Sequence, residues 1–375
     1  MTRVRRSPAL PRGFSHEARL YLRPTALIGG AGADAAIEAG VARRLAGGAF
    51  AFSALEVFVR DRGAITAAVA PLAEAAAWAG ALDGPAAGRV AVLFARLSAP
   101  RAPVSGVSID RPAIMGVINV TPDSFSDGGD FADADAAIAH GRALADAGAA
   151  ILDVGGDSTR PGSDAITVEE ELARALPVVE ALAAQGFTVS IDTRRAVVMR
   201  AALEAGARIV NDVSALAFDA ESLGVVAASG APIVLMHCLG DPGTMQESPA
   251  YDFAPLDVYD NLEARVEACE AAGIDRARIV VDPGIGFGKT PTGHNIEILQ
   301  NLSLYHGLGC AVLIGVSRKG FIGRLAGIDA PKERLPGSLA AGLAALGQGV
   351  QIIRVHDVAE TAQALAVWQA IAGGG

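Results

Sequence analysis

From residue 113 onwards, short apolar runs alternate with longer stretches in which apolar residues recur every three or four positions. The short runs indicate buried parallel strands, and the longer stretches indicate amphipathic helices. Eight strands are predicted, at 113–119, 150–154, 188–192, 208–211, 232–236, 279–282, 311–315 and 350–355. Eight strands that each lead into a helix over about 260 residues favour an α/β fold of the (β/α)8 TIM-barrel type over an open doubly wound sheet.

Seven helices are predicted between and after these strands, at 133–147, 168–184, 195–205, 255–272, 295–302, 339–348 and 358–372. Several end at a glycine, such as Gly148 or Gly206, which is typical of a helix C-terminus. The second follows Thr167, with Glu170 three residues later, and this spacing predicts a capping box. Turn chemistry and periodicity therefore agree over these segments.

The first 110 residues have a less regular pattern. Strands are predicted at 20–27, 54–59 and 90–97, helices at 33–45 and 65–79, and a proline-containing linker at 99–103. No catalytic pattern occurs here, and His16 and Trp78 are interpreted as surface or packing residues. The chain is therefore divided into an N-terminal α/β appendage of unassigned role, 1–110, and a catalytic barrel, 111–375.

Composition and charge narrow the classes of partner. The chain is 51% hydrophobic and 19% charged, which is typical of a globular protein with a large core. Residues 1–110 carry a net charge of +5 and residues 111–375 a net charge of −15. The acidic barrel argues against nucleic acid as a partner. The opposite charges predict that the appendage docks on the barrel.

Hydropathy and cysteine usage point to a cytoplasmic protein. The chain has neither an apolar run long enough to cross a bilayer nor an apolar segment after its basic N-terminus. Neither a membrane partner nor a secretory signal is therefore predicted. Cys238, Cys269 and Cys310 lie far apart without metal-site spacing, and they are interpreted as reduced cytoplasmic thiols.

Polar or charged residues follow each predicted barrel strand. In barrel order they are Asn119, Asp153, Asp192, Asn211 with Asp212, Met236 with His237, Asp282, Ser317 to Lys319, and Arg354 with His356. In such barrels ligands bind at the C-terminal ends of the strands, and a purely structural barrel needs no such ring. We therefore expect these side chains to surround one site.

Two kinds of chemistry are present in this ring. Asp192, Asn211 and Asp282 suit a flat heterocycle with a donor-rich edge, such as a 2-amino-4-oxo pyrimidine. The residues that suit a phosphate or diphosphate, with Mg²⁺ on an oxygen ligand, are Asn119, Lys319, Arg354 and His356. The glycine-rich stretch 282–290 is not a Walker phosphate loop, because Pro283 occupies a position where that motif needs glycine. The expected ligand is a heterocycle that carries a diphosphate leaving group.

Several barrel motifs resemble those of the dihydropteroate synthase family. The stretch 119–129, Asn-Val-Thr-Pro-Asp-Ser-Phe-Ser-Asp-Gly-Gly, is similar to the family's first motif, and 155–162, Gly-Gly-Asp-Ser-Thr-Arg-Pro-Gly, is similar to its second. Matching motifs follow in the family order, at 190–193, 211–212, 236–237, 282–289, 317–319 and 354–356. The resemblance covers about 111–372 and leaves 1–110 outside it.

The resemblance implies a (β/α)8-barrel transferase of folate biosynthesis. The implied reaction joins 4-aminobenzoate to (7,8-dihydropterin-6-yl)methyl diphosphate and gives 7,8-dihydropteroate and diphosphate. By the same resemblance, the chain is expected to use Mg²⁺ and to form a homodimer. The implied mechanism is dissociative, so that diphosphate leaves before the neutral arylamine attacks the pterin methylene cation.

The resemblance also implies roles for individual residues. The implied pterin-binding set is Asp192, Asn211, Met236, Asp282, Phe287 and Lys319. The implied diphosphate set is Asn119, Arg354 and His356, with Asn119 also on the metal ion. Two closing loops are implied to shape the 4-aminobenzoate pocket with Phe125, Ser158, Thr159, Arg160 and Pro161. The residues implied to act in catalysis are Asn119, Thr159, Arg160, Lys319, Arg354 and His356.

Two alternatives remain. A barrel that transfers a methyl group from methyltetrahydrofolate to a corrinoid protein would share the carboxylates, but it has no use for 158–161 or for the Arg354–His356 pair. A non-catalytic pterin-binding protein would be expected to lack diphosphate or loop residues, and all of them are present. The chain departs from the family at Asp157, where glutamate is usual, at Gly320, where a larger residue is common, and at 291–293, which is one residue longer.

Overall fold

The computed structural model describes the backbone of residues 4–120, 130–157, 166–240 and 248–372, and the side chains of all of these except 130–133. It contains a five-stranded sheet followed by a closed barrel of eight parallel strands. The (β/α)8 barrel predicted from the sequence is therefore confirmed. Over these residues, none of the helices combines the length and the apolar character that crossing a membrane requires.

The N-terminal region folds as a sheet with three helices. Its strands are β1 (Arg5–Arg6), β2 (Arg19–Ile28), β3 (Arg43–Arg44), β4 (Ala51–Asp61) and β5 (Ala64–Pro71). Its helices are α1 (Gly30–Glu38), α2 (Leu72–Gly80) and α3 (Gly84–Ser98). The sheet order is β1-β5-β4-β2, and β3 pairs with β4. The strands predicted at 20–27 and 54–59 are confirmed as parts of β2 and β4.

Three predictions for this region are wrong. The strand predicted at 90–97 is part of α3, and the residues buried there have helical spacing, namely Val90, Leu93, Phe94 and Leu97. The helix predicted at 65–79 is a strand as far as Pro71, because pairing with β4 overrides the helix propensity of its alanines. The helix predicted at 33–45 ends at Glu38, and Gly40 after it has a φ of 71°, which stops a helix.

The barrel strands agree with the predicted ones to within two residues at each end. They are β6 (Ala113–Asn119), β7 (Ile151–Gly155), β8 (Val189–Asp192), β9 (Ile209–Asp212), β10 (Ile233–Met236), β11 (Ile279–Asp282), β12 (Ala311–Ile314) and β13 (Ile352–Val355). The barrel closes through the pairing of β13 with β6. Their C-terminal ends therefore lie at one mouth.

Helices cover the barrel from outside. They are α4 (Asp130–Asp146), α5 (Val168–Ala184), α6 (Ala196–Glu204), α7 (Ser222–Ser229), α8 (Ala254–Ala271), α9 (His294–Leu299), α10 (Gly320–Ala326), α11 (Leu335–Leu346) and α12 (Val358–Ala372). The capping box at Thr167 and Glu170 is confirmed. The sequence analysis missed α7 and α10, which are short and contain glycine. The helix predicted at 295–302 ends at Leu299, and a 3₁₀ segment follows at Leu302–Leu308.

The segment between sheet and barrel closes the N-terminal end of the barrel. Val104 and Ile109 pack in one cluster with residues near the starts of the barrel strands, such as Ile209 and Val280. Arg101 is only 9% exposed, and its guanidinium donates hydrogen bonds to the carbonyls of Arg96, Ala99, His306 and Cys310. The predicted linker is thus a firmly anchored segment.

Opposite charges join the appendage to the barrel, as predicted. Helix α8 presents Asp257, Asp260 and Glu263 to the N-terminal sheet. Arg60 contacts Asp260 at 2.7 Å and also pairs with Asp257, and Arg19 contacts Glu263 at 2.5 Å. The carboxylates of this interface are mostly buried, Glu263 most of all, so truncating an arginine leaves a partly buried charge.

Candidate active site

Four strands bring side chains into one network at the barrel mouth. Arg354 donates from Nε to Asp153 Oδ2 at 2.6 Å and from Nη2 to Asp192 Oδ2 at 2.7 Å. Asn211 donates from Nδ2 to the same Asp153 oxygen at 2.9 Å. The structure therefore brings together Asp192, Asn211 and Arg354 from the predicted ligand-binding sets with Asp153, which the sequence analysis placed in the ring without assigning it a ligand.

This network leaves two carboxylate oxygens without a donor. Oδ1 of Asp153 and Oδ1 of Asp192 are buried and have no hydrogen-bond partner among the described residues. Buried polar atoms are almost always hydrogen-bonded, so the site is suited to a ligand that presents N–H groups. Burial raises the pKa of Asp192 to about 7, against the opposing effect of Arg354 and with a further rise from the charge of Asp153.

A second group surrounds the end of β11. Asp282 is 6% exposed, and its Oδ1 accepts a hydrogen bond from the Gly284 amide at 2.7 Å. Lys319 donates from Nζ to the Ile285 carbonyl at 2.8 Å and lies 4.2 Å from the centroid of the Phe287 ring. Burial lowers the pKa of Lys319 to about 8 and raises that of Asp282, while their opposite charges partly offset both shifts.

A buried lysine that the sequence analysis missed holds the loop after β11. Lys289 is 1% exposed, and its Nζ lies 2.9 Å from His237 Nδ1 and 2.9 Å from the Phe287 carbonyl. Burial lowers its pKa to about 7 and also lowers the pKa of His237, which the Lys289 charge lowers further. A neutral Lys289 therefore fits this contact, and the pair ties the end of β10 to the backbone carbonyl of Phe287.

Glycines allow the loops after β10 and β11 to pack backbone against backbone. A Cβ on Gly284 would lie 1.9 Å from the His237 carbonyl oxygen, and one on Gly288 would lie 2.6 Å from that of Leu239. Both glycines have positive φ, at 68° and 61°. Glycine is required at both positions, and the spacing 284–288 was the sequence signal for this close approach.

The remaining described site residues line the same mouth. Asn119 is half-buried at the end of β6, and Met236 is buried at the end of β10. His356 Nδ1 lies 3.0 Å from Ser317 Oγ. Asp212 lies beside Asn211, but its carboxylate accepts from the Ser214 and Leu216 amides and so stabilises a turn. A Cβ on Gly320 would meet open space, so the larger residue that is common at this position in the family would also fit here.

Five predicted residues cannot be placed in this geometry. Phe125, Ser158, Thr159, Arg160 and Pro161 lie outside the described residues. The predicted 4-aminobenzoate pocket therefore stays a prediction. Within the described ranges, no group of three or more His, Cys, Asp or Glu side chains is arranged to hold a metal ion.

Comparison with known proteins agrees with this geometry. Residues 115–356 match the family model described as pterin binding enzyme. The dihydropteroate synthase of Escherichia coli strain K12 is 46% identical over 269 residues, which cover 71% of this chain and 94% of that protein.

Two solved structures share the fold. The Xanthomonas albilineans dihydropteroate synthase with 4-aminobenzoic acid is 48% identical with a TM-score of 0.67, covering 71% of this chain and 94% of that one. The Yersinia pestis dihydropteroate synthase with a sulfonamide drug is 42% identical with a TM-score of 0.68, covering 72% of this chain and 98% of that one. The family match begins at residue 115, after the N-terminal sheet.

Proposed function

We propose roles for the barrel-mouth residues from the premise that this chain belongs to the pterin-binding enzyme family, as a dihydropteroate synthase. The enzyme is a transferase of folate biosynthesis. It condenses (7,8-dihydropterin-6-yl)methyl diphosphate with 4-aminobenzoate to 7,8-dihydropteroate and diphosphate, and solved relatives contain the product and 4-aminobenzoic acid. The C–O bond between the pterin methylene and diphosphate breaks, and a C–N bond to the arylamine replaces it.

The pterin ring is assigned to the carboxylate side of the mouth. The observation that carries this assignment is the pair of unpartnered buried oxygens on Asp153 and Asp192. A pterin edge presents ring and exocyclic N–H groups, which carboxylates accept in charge-assisted hydrogen bonds. Asn211 and Asp282 extend this polar edge. The ring face would then lie near Met236, Phe287 and Lys319.

The diphosphate is assigned to the cationic side. Among the described residues, Arg354 is the only cation of the mouth that donates hydrogen bonds to two strand-end carboxylates, and these bonds hold its guanidinium at the mouth. His356, Lys319 and Asn119 complete this side. These groups would stabilise the negative charge that develops on the leaving group as the C–O bond breaks.

A magnesium ion fits this arrangement through the Asn119 amide oxygen. Magnesium usually takes one or two protein oxygens, several waters and substrate phosphates, so a full protein cage is not required. When bound, the ion would neutralise part of the diphosphate charge. Asn119 would orient the diphosphate from the β6 side whether or not the magnesium ion is bound.

The arylamine is assigned to the loops after β6 and β7. This part of the proposal rests on the family resemblance of Phe125, Ser158, Thr159, Arg160 and Pro161. Closure of such loops would exclude water from the methylene cation and place the neutral amine in line with it. The amine then loses one proton to solvent or to the departing diphosphate.

The proposal is tested by measuring diphosphate release by the full chain with and without 4-aminobenzoate. The synthase is expected to release diphosphate in step with dihydropteroate and only when the amine is present. A chain that binds the pterin diphosphate but releases none would be a non-catalytic binding protein. Transfer of a methyl group from methyltetrahydrofolate to a corrinoid would instead support the methyltransferase alternative.

We also propose a cytoplasmic homodimer without nucleic-acid or membrane partners, with catalysis confined to 111–375. Cys269 and Cys310 are buried thiols, which suits a reducing compartment. Light scattering coupled to size-exclusion chromatography measures the oligomeric state. A mass of one chain at micromolar concentration would contradict the dimer.

A further inference from the structure

A cavity lies at the end of the barrel opposite the mouth. It has a volume of about 540 Å³ and is bounded by α1 and the segment 44–50 on one side, and by 109–112, 346–351 and α12 on the other. Pro112 and Gln351 precede β6 and β13, so the cavity adjoins the N-terminal ends of the barrel strands. Its size and its place between two structural units are typical of small-molecule sites.

Close backbone contacts fix the walls of this cavity. A Cβ on Gly29 would lie 2.7 Å from the Ala372 carbonyl oxygen, and one on Gly349 would lie 2.7 Å from the Leu45 side chain. A Cβ on Gly47 would lie 2.5 Å from Pro100. The appendage and the barrel therefore approach each other closely around the cavity, and side chains at these three positions would not fit without a shift.

Two side chains of the cavity carry hydrogen-bond donors that have no acceptor in the described part of the chain. Gln351 is only 5% exposed, its Oε1 accepts from the Val312 amide at 2.8 Å, and its Nε2 has no acceptor among the described residues. Arg111 is exposed to the cavity and has no ion-pair or hydrogen-bond partner in the described part of the chain. The first turn of α1, at Gly30 and Ala31, has no side-chain cap.

Both carboxylates that line the cavity accept hydrogen bonds from neighbouring side chains. Asp34 pairs with Arg44, whose guanidinium also donates to the Ala49 carbonyl. Asp110 accepts a hydrogen bond from Ser108 Oγ at 3.0 Å. The open positions therefore favour a ligand rich in acceptors and negatively charged.

The apolar part of the cavity suits a planar ring. Phe50 and Trp368 both line it, with ring centroids 5.8 Å apart and planes inclined at 49°. Both are partly exposed, so each presents a ring face or edge to the cavity. Aromatic side chains bind planar ligands by offset stacking or by edge contacts.

We propose that this cavity is a binding site for a small planar aromatic anion, packed against the exposed sides of Phe50 and Trp368 with its anionic group on Arg111 and Gln351 Nε2. This site is formed jointly by the appendage and the barrel, and it gives the appendage a function that the catalytic barrel does not require. Its lining residues lie outside the family match, which covers 115–356, except for those at 346–351.

The test is isothermal titration calorimetry of the full chain with naphthalene-2-carboxylate, 2-naphthyl phosphate and the neutral isostere naphthalene-2-carboxamide. We expect submillimolar binding of at least one anion, and binding of the carboxamide that is weaker by about tenfold or more. The anion that binds more tightly identifies the head group as carboxylate or phosphate.

Substitutions locate the binding. Arg111→Gln and Gln351→Leu are each expected to weaken the anion about tenfold, because each removes a donor. Arg111 is exposed, so its replacement does not threaten the fold. The matched control is Arg324→Gln, which replaces an exposed arginine on α10 and should leave the affinity for the anion unchanged. Absence of binding at millimolar anion, equal binding of the carboxamide, or full affinity in Arg111→Gln would each overturn the proposal.

Discussion

Replacing Asp192 by asparagine should weaken substrate binding and at the same time stabilise the fold. The carboxylate is 13% exposed, bonds Arg354 at 2.7 Å and keeps one buried oxygen free. Asparagine preserves the shape but removes the charge and replaces one oxygen by a donor. A lost charge-assisted hydrogen bond costs about 1.5–3 kcal/mol, so pterin affinity is expected to fall about 10- to 100-fold.

The stabilising effect follows from the pKa of Asp192. Its folded-state pKa is raised from 3.8 to about 7 by burial first, so the folded protein prefers the neutral carboxyl. Stability is therefore lost as pH rises from 3.8 through about 7, to a limit of about 4 kcal/mol above both values. Asparagine is neutral at every pH and avoids this cost. The attraction to Arg354 is already included in this pKa. The amide places a buried N–H group where no acceptor is present, which costs about 1–3 kcal/mol, so we expect a net gain of about 1–2 kcal/mol at pH 8.

The assay combines calorimetry with thermal unfolding across this pH range. In a chain of 375 residues, 1 kcal/mol raises the melting temperature by about 1 °C or somewhat more. Asp192→Asn should melt above the wild type at pH 8 and close to it near pH 4. Glu204→Gln, an exposed carboxylate at the end of α6, is the control and should change neither property. Wild-type pterin affinity, or a lower melting temperature at pH 8, would refute the reasoning.

Three further expectations concern the loops and the appendage. Arg160→Ala should leave pterin diphosphate affinity unchanged and reduce turnover strongly, if Arg160 acts on a closing loop; a near wild-type rate at saturating 4-aminobenzoate would contradict this. Lys289→Met should raise the KM for pterin more than it lowers kcat. The wild type should gain stability as pH rises from about 7 towards 10.5, and the variant should lose this gain. A variant with the same pH–stability curve as the wild type would show that Lys289 is not a buried neutral lysine. A fragment of 105–375 should aggregate, because it lacks Arg101, Val104 and the arginines that pair with α8. Any soluble fraction should retain synthase activity. Folded fragment that binds pterin without turnover would show that the appendage contributes to catalysis.

The barrel was predictable because its strands are short continuous apolar runs that end in polar residues. Such runs are buried on both faces, and their ends coincide with the site. The N-terminal sheet was harder, since an alanine-rich strand such as β5 is formed by pairing and not by its own propensity. At 90–97, the spacing of Val90, Leu93 and Leu97 was a helical signal that the apolar content concealed.

The site shows the same division between local and long-range information. Asp192 and Arg354 were predicted because each follows a strand in a familiar motif. The bond between Lys289 and His237 joins residues 52 positions apart, and it depends on the backbone contact that Gly284 permits. The orientation of Arg354 towards Asp153 is likewise a property of barrel closure. Neither contact has a local pattern in the sequence.

The central claim is that the mouth binds the heterocycle through carboxylates and the diphosphate through cations. Calorimetry of the full chain with pterin diphosphate and with the corresponding 6-hydroxymethyl-7,8-dihydropterin separates the two contributions. Asp282→Asn is expected to weaken both ligands by a similar factor, while His356→Gln is expected to weaken only the diphosphate. If His356→Gln weakens both ligands equally, or Asp282→Asn weakens neither, the division of the mouth into these two sides is contradicted.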